Sequence, residues 1–193
     1  MARENQRIML TKRLLKEALL RLLERSPLNK ISITELCKEA SINRVTFYRH
    51  YEYPKDVLID IEKDFLEDMS QKFDYKVPHA ERLQYYEEMF SYILQHQDLI
   101  KIFITNASDA DFPKMFQKLY TNNVLKYQQH PLFSGYDPDS VFLISSFYAG
   151  GIYFLLKYWL FEDIKKSPQE LAKLFVEMSD KQCSIIDSAL VKS

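Results

Sequence analysis

Glycine is almost missing from this chain: three in 193 residues, two of them the adjacent pair Gly150-Gly151. Glycine supplies the positive backbone dihedrals that tight turns need, and β-branched runs are few as well. Hairpins and sheets are therefore poorly served, and the chain reads as all-α. Cysteine is equally scarce. Cys37 and Cys183 stand far apart, which excludes a disulfide framework and the paired spacing of a zinc site. The four histidines, His50, His79, His96 and His130, are scattered without ligand spacing. No nucleophile, base and orienting group fall into a recognisable arrangement, so an enzyme is not expected and no metal or cofactor is implied. The first residues are charged and lack the apolar stretch of a signal peptide, from which a cytoplasmic location is expected.

What is present is apolar side chain and unevenly placed charge. Hydrophobic residues make up 47% of the chain and aromatics 14%, enough for a full core. The formal charge of −1 hides an asymmetry. Residues 1–51 hold 11 Lys/Arg against 5 Asp/Glu, a formal +6, so the remainder is −7. A basic first quarter on an acidic body suggests that one end meets a polyanion; an uneven solvated surface is the alternative.

The apolar spacing predicts about nine helices. The first runs over about residues 3–25, with Ile8, Leu15, Leu19, Leu22 and Leu23 as its stripe, and Pro27 ends it. Tyr53-Pro54 opens a long helix to about Phe73, carrying Val57, Leu58, Ile61, Phe65 and Met69. Further helices are expected over 79–96, 98–105, 112–129, 139–161 and from Ser167-Pro168 onward. The apolar stretch 98–105 could also be a strand, but nothing nearby offers it a partner. The run Val141–Phe161 is long enough to span a bilayer. Lys157, its two serines and the acidic flank Glu162-Asp163 weaken that reading. A helix apolar all round is otherwise a buried one.

The stretch from Ser32 to Tyr51, SITELCKEASINRVTFYRHY, reads as two short helices joined by a tight turn. Ser32 and Glu35 fit a capping box. Leu36, Cys37 and Ala40 form the apolar face of the first helix, and Asn43 caps the second, Arg44 to Tyr51. Ile42, Phe47 and Tyr51 fall on one side of it; Arg44, Val45, Tyr48 and Arg49 fall largely on the other. A short helix that buries one side and shows Arg, Tyr, Thr and His elsewhere suits the major groove of DNA.

Together with the basic helix before it, the segment ISITELCKEASINRVTFYRHY (Ile31 to Tyr51), ending in Tyr48-Arg49-His50-Tyr51, resembles the DNA-binding domain of the TetR family of bacterial transcriptional regulators. Three positions depart from that family's habit. Cys37 stands where alanine is common. Ser41 stands where glycine is common, at a turn position that tends to need positive φ. Pro54 stands where a lysine is usual, with Lys55 one residue later. The run Tyr148 to Leu160 followed by SPQELAKLF is similar to one subgroup, regulators like the dihydroxyacetone kinase operon activator.

The resemblance implies an N-terminal helix-turn-helix domain over 1–52, with the helix-turn-helix itself over 32–51. A helical ligand-binding and dimerisation domain would follow over 53–193. The expected DNA-binding residues are Thr34, Asn43, Arg44, Val45, Thr46, Tyr48, Arg49, His50 and Lys55. Arg44 suits a bidentate contact to guanine, Val45 and Thr46 a thymine methyl, Tyr48 a phosphate or base edge, Thr34 a phosphate or the groove edge, and Arg49, His50 and Lys55 the phosphate backbone. Arg3 and Arg7 are candidates for nonspecific phosphate attraction, or belong to a solvated face. Phe65, Met69, Tyr86, Phe90, Phe103, Phe116, Tyr120, Phe147 and Tyr148 are candidates to line an effector cavity, or are plain core. Gly150 and Gly151, with Phe154, Tyr158, Leu174, Phe175, Met178 and Ile185, are candidates for a homodimer seam. Two glycines inside a helix cost about 1 kcal/mol each relative to alanine, a cost that close helix approach offsets. The expected function is a homodimeric repressor of a palindromic DNA operator, responsive to a small-molecule effector and not membrane-bound. The alternatives are an activator of a neighbouring metabolic operon, an enzyme, or a DNA-free adaptor or membrane module built on Val141–Phe161.

Overall fold

A computed structural model describes residues 2–73, 78–106, 114, 117, 136–162 and 164–178. Every regular element among the described residues is a helix, and none of them is a strand. They fall into two compact units: Met1–Asp68 with Thr105–Asp111, and Met69–Ile104 with Phe112–Ser193.

The first unit is built on α1, Ala2–Leu23. Leu15, Ala18, Leu19 and Leu22 fill its core, whereas Ile8, assigned above to the same stripe, is 38% exposed. The apolar stripe therefore does its packing in the second half of the helix only. A short 3-10 turn, Leu28–Lys30, leads to α2, Ile33–Ala40. Ser32 caps α2: its Oγ accepts the Glu35 N–H at 3.1 Å. Leu36, Cys37 and Ala40 are buried, as their spacing requires. Helix α2 ends at Ser41, whose φ of 55° and ψ of 36° are left-handed. The Ile42 N–H then reaches back to the Cys37 carbonyl at 2.9 Å, the closing bond of a Schellman turn. A Cβ in that region costs about 1 kcal/mol or more. Ser41→Gly is accordingly expected to stabilise the unit by about 0.5–1 kcal/mol, after allowing for the extra chain entropy of glycine. A rise in the urea midpoint reads this directly, and an unchanged or lower midpoint contradicts it.

Helix α3, Arg44–Tyr48, is shorter than its spacing suggests. Asn43 Oδ1 accepts the Thr46 N–H at 2.7 Å and starts it. At its other end the Arg49 and His50 N–H groups bond three residues back, to Thr46 and Phe47, at 3.3 and 2.9 Å. Such tightened bonds stop the helix before Tyr51. Helix α4, Pro54–Lys72, starts on Pro54. The Asp56 carboxylate accepts the N–H groups of Glu52 and Tyr53 at 2.9 and 2.7 Å, which suits the positive end of a helix. Val57, Leu58, Ile61, Phe65 and Leu66 are its buried stripe.

The second unit contains α5, Arg82–Gln95, preceded by a 3-10 turn at His79–Glu81, and then α6, Gln97–Asn106, up to its residue Ile104. The apolar stretch at 98–105 is thus helix, not strand. Helix α7, Pro138–Phe161, begins one residue before the Asp139 expected above. Asp137 caps it, accepting the N–H groups of Asp139 and Ser140 at 3.1 and 3.0 Å, and Pro138 sits where its missing N–H costs nothing. Helix α8 is described over 168–178. Ser167 and Glu170 form a reciprocal capping box: Ser167 N–H to Glu170 Oε2 at 2.8 Å, and Glu170 N–H to Ser167 Oγ at 3.2 Å. The expected helix over 112–129 lies outside the described residues except for Lys114 and Gln117, both helical.

Aromatic rings fill this second core edge to face. Phe90 lies 5.8 Å from Trp159 and 6.0 Å from Phe175, and Phe73 lies 5.5 Å from Tyr92.

Candidate nucleic-acid interface

The outward side of α3 is exposed and carries no apolar demand. Arg44, Val45, Tyr48 and Arg49 are all exposed, Val45 at 67% and Tyr48 at 52%. Thr46 and His50 are half-buried at its flanks. The opposite side is closed by Phe47, fully buried, and by Tyr51, whose ring lies 6.0 Å from that of Phe47. Asn43 is exposed, but its side chain is engaged in the cap of α3. Thr34 is exposed near the start of α2, and Lys55 is half-buried in the first turn of α4.

Charge around α3 is arranged to keep the helix itself cationic. Glu39 on α2 is taken up by Arg21 of α1 and by Arg25 just past its end: its carboxylate accepts from Arg21 Nε at 2.8 Å and lies 3.5 Å from Arg25. The Arg21 hydrogen bond holds its carboxyl below the usual range. Burial pushes the Cys37 thiol up, against the pull of the Arg44 charge, which keeps it a protonated core group.

Four groups behind α3 were not singled out from the sequence. Asp60 of α4 receives Tyr51 Oη at 2.6 Å, Lys12 Nζ at 3.1 Å and Lys16 Nζ at 3.0 Å, all on one carboxylate oxygen. Lys16 also meets Asp64 at 2.6 Å. Burial opposes the Asp60 charge, but the bonds from Tyr51, Lys16 and Lys12 outweigh it and hold the carboxyl at about 2. Burial and the Asp60 bond push the Tyr51 phenol up. The signal was in the spacing: Lys12 and Lys16 on α1, Asp60 and Asp64 on α4, each pair four residues apart.

The pH consequence has a definite sign. A carboxyl lowered from 3.8 to about 2 contributes stability above 3.8 and loses it as pH falls through 2. Asp60→Asn should therefore be less stable than wild type near about pH 6, by about 1–2 kcal/mol after discounting for partial exposure. The gap should close toward about pH 2. Urea midpoints of both proteins across this range test it; a gap independent of pH contradicts it.

The family model for the TetR-type transcriptional regulator C-terminal region matches residues 81–181. The chain belongs to the TetR family. The uncharacterized HTH-type transcriptional regulator YxbF of Bacillus subtilis (strain 168) is 22% identical over an alignment of 169 residues that covers 84% of this chain. The chain spans only 43% of the length of that curated relative. The fold is shared with a TetR transcriptional regulator from Streptococcus agalactiae 2603V, at TM-score 0.67 and 21% identity, covering 91% of this chain and 96% of that one. It is also shared with the dihydroxyacetone kinase operon activator DhaS, at TM-score 0.57 and 17% identity, covering 91% and 97%.

The remaining candidates in this TetR-family chain fall into two environments. Phe65, Phe90 and Phe103 are buried, Met69, Tyr86 and Tyr148 half-buried, and Phe147 is 72% exposed. Tyr86 packs on Phe175 at 4.7 Å, so Phe175 is engaged within the second unit. Phe116, Tyr120 and Ile185 lie outside the described residues. Helix α7 does not match the buried helix its composition suggests. Leu143, Phe147, Phe154 and Tyr158 are each more than half exposed, and Leu174 and Met178 of α8 are exposed as well. A methyl group added at Gly150 or Gly151 would meet no atom within 4 Å among the described residues. Packing among the described residues therefore gives no reason for either glycine. By length and composition α7 could cross a membrane, with mean hydropathy 1.4.

Proposed function

We propose that this chain is a homodimeric, sequence-specific DNA-binding regulator of transcription acting in the cytoplasm, a repressor relieved by a small-molecule effector. The observation that carries the DNA reading is the exposed Arg44–Arg49 side of α3, held on a buried Phe47 by a helix capped at Asn43. The proposed reading domain spans 1–52 and the proposed effector and dimerisation domain 53–193. Within α3, Arg44, Val45, Thr46 and Tyr48 meet base edges, while Thr34, Arg49, His50 and Lys55 set the register on phosphates and Asn43 caps the helix.

The homodimer is supported by the exposed apolar line Leu143, Phe147, Gly151, Phe154 and Tyr158 on α7. A second copy laid along it would cover that surface and offset the helix cost of the glycines. Phe147 then belongs to this seam, not to a cavity. The effector site is proposed among the aromatics of the second unit, with Tyr86, Phe90 and Phe103 at its centre. A second reading, an activator of a neighbouring metabolic operon, is favoured by the Tyr148–Leu160 run with the segment after it, which resembles the activator subgroup. The first test is a gel-shift titration on the DNA upstream of its own gene, with scrambled DNA as competitor. Selective retention supports the reading, and identical retention of both DNAs counts against it.

A further inference from the structure

Helix α3 has five residues. A helix this short has no stability of its own, so its orientation is set by what holds its ends. Its first end is capped locally by Asn43 and its middle rests on Phe47. Its far end runs into Tyr51, whose N–H bonds the Phe47 carbonyl at 3.0 Å and whose ring is 7% exposed. The only polar atom of that side chain, Oη, lies 2.6 Å from Asp60 Oδ2. The same oxygen is gripped from α1 by Lys12 and Lys16, and Lys12 Nζ also stands 5.3 Å over the Tyr51 ring. One carboxylate oxygen thus joins the end of the reading helix to both helices behind it. We propose that Tyr51 is a positioning residue for DNA selectivity: its hydroxyl, clamped on Asp60, fixes the angle at which α3 presents Arg44 and Tyr48.

Packing and positioning separate at this residue. Phenylalanine keeps the ring on Phe47 and leaves Lys12 and Lys16 on Asp60, so the unit stays folded and its charge is unchanged. Nonspecific binding, which depends on charge, stays the same. Selective binding depends on where α3 sits and weakens. The inference rests on the DNA reading above, and the experiment separates the two. Dissociation constants of wild type and Tyr51→Phe are measured by fluorescence anisotropy on the selected upstream site and on scrambled DNA, at matched salt and well below both melting transitions. The expected result is about 3- to 10-fold weaker binding of the selected site, one hydrogen bond's worth, with scrambled DNA bound equally by both. Asp60→Asn, which keeps the shape but weakens the clamp, should lose selectivity in the same direction. Equal selectivity in wild type and Tyr51→Phe overturns the positioning role, as does an equal weakening on both DNAs. A wild type without selectivity overturns the DNA reading itself, and the positioning role with it.

Discussion

Arg44→Ala is expected to weaken binding to the selected site about 5- to 150-fold, corresponding to about 1–3 kcal/mol for a bidentate contact to guanine. Binding to scrambled DNA should fall only slightly, by the loss of one cation. Arg44 is the first residue of α3, exposed, and next to a cap that keeps the helix start in place when the side chain is removed. The side chain removed is exposed, so circular dichroism and melting should stay as in wild type. A parallel loss on both DNAs would reduce Arg44 to a phosphate contact. No loss on either would remove α3 from the interface.

The second large effect concerns α7. Phe147→Asp with Phe154→Asp places two charges on side chains that are 72% and 52% exposed in the single chain. Neither replaces a core group, so the protomer should remain helical. Across a dimer seam, however, two unpaired carboxylates must be buried, which is strongly unfavourable. The variant is expected to elute as a monomer where wild type elutes as a dimer. Its affinity for a palindromic site should drop by about 10²- to 10⁴-fold, because the second half-site is no longer captured at high effective concentration. Light scattering of the eluted peak without detergent reads the mass. A dimer that survives the double change would move the seam elsewhere, and a protein soluble only in detergent would point to the membrane alternative.

The parts of the fold that were readable from sequence are those with local causes. Ser32, Asn43 and the Ser167–Glu170 pair each cap a helix where their residue types suggest. Leu36, Cys37 and Ala40 are buried at the spacing of a helical face, and Ser41 has the left-handed backbone its place in the turn demands. The errors have causes that residue types alone do not show. Tightened bonds at Arg49 and His50 end α3 early, and residue types do not show that choice between three- and four-residue bonding. Hydrophobicity marked α7 for burial without saying whether the cover comes from the same chain or from another. The Tyr51–Asp60 clamp needs the register of α1 against α4. The i, i+4 charges on each helix hint at that register without fixing it. The proposed base contacts, seam and effector site would involve partners outside the chain, so sequence spacing could only nominate their residues.

Genome-wide mapping of occupied sites for wild type and Arg44→Ala tests the dimeric DNA reader most directly. The expected result is an inverted repeat whose half-sites are centred about 10–10.5 base pairs apart, or a multiple of that, with occupancy lost in the variant. Recovery of no common sequence, or of the same sites by both proteins, would contradict it.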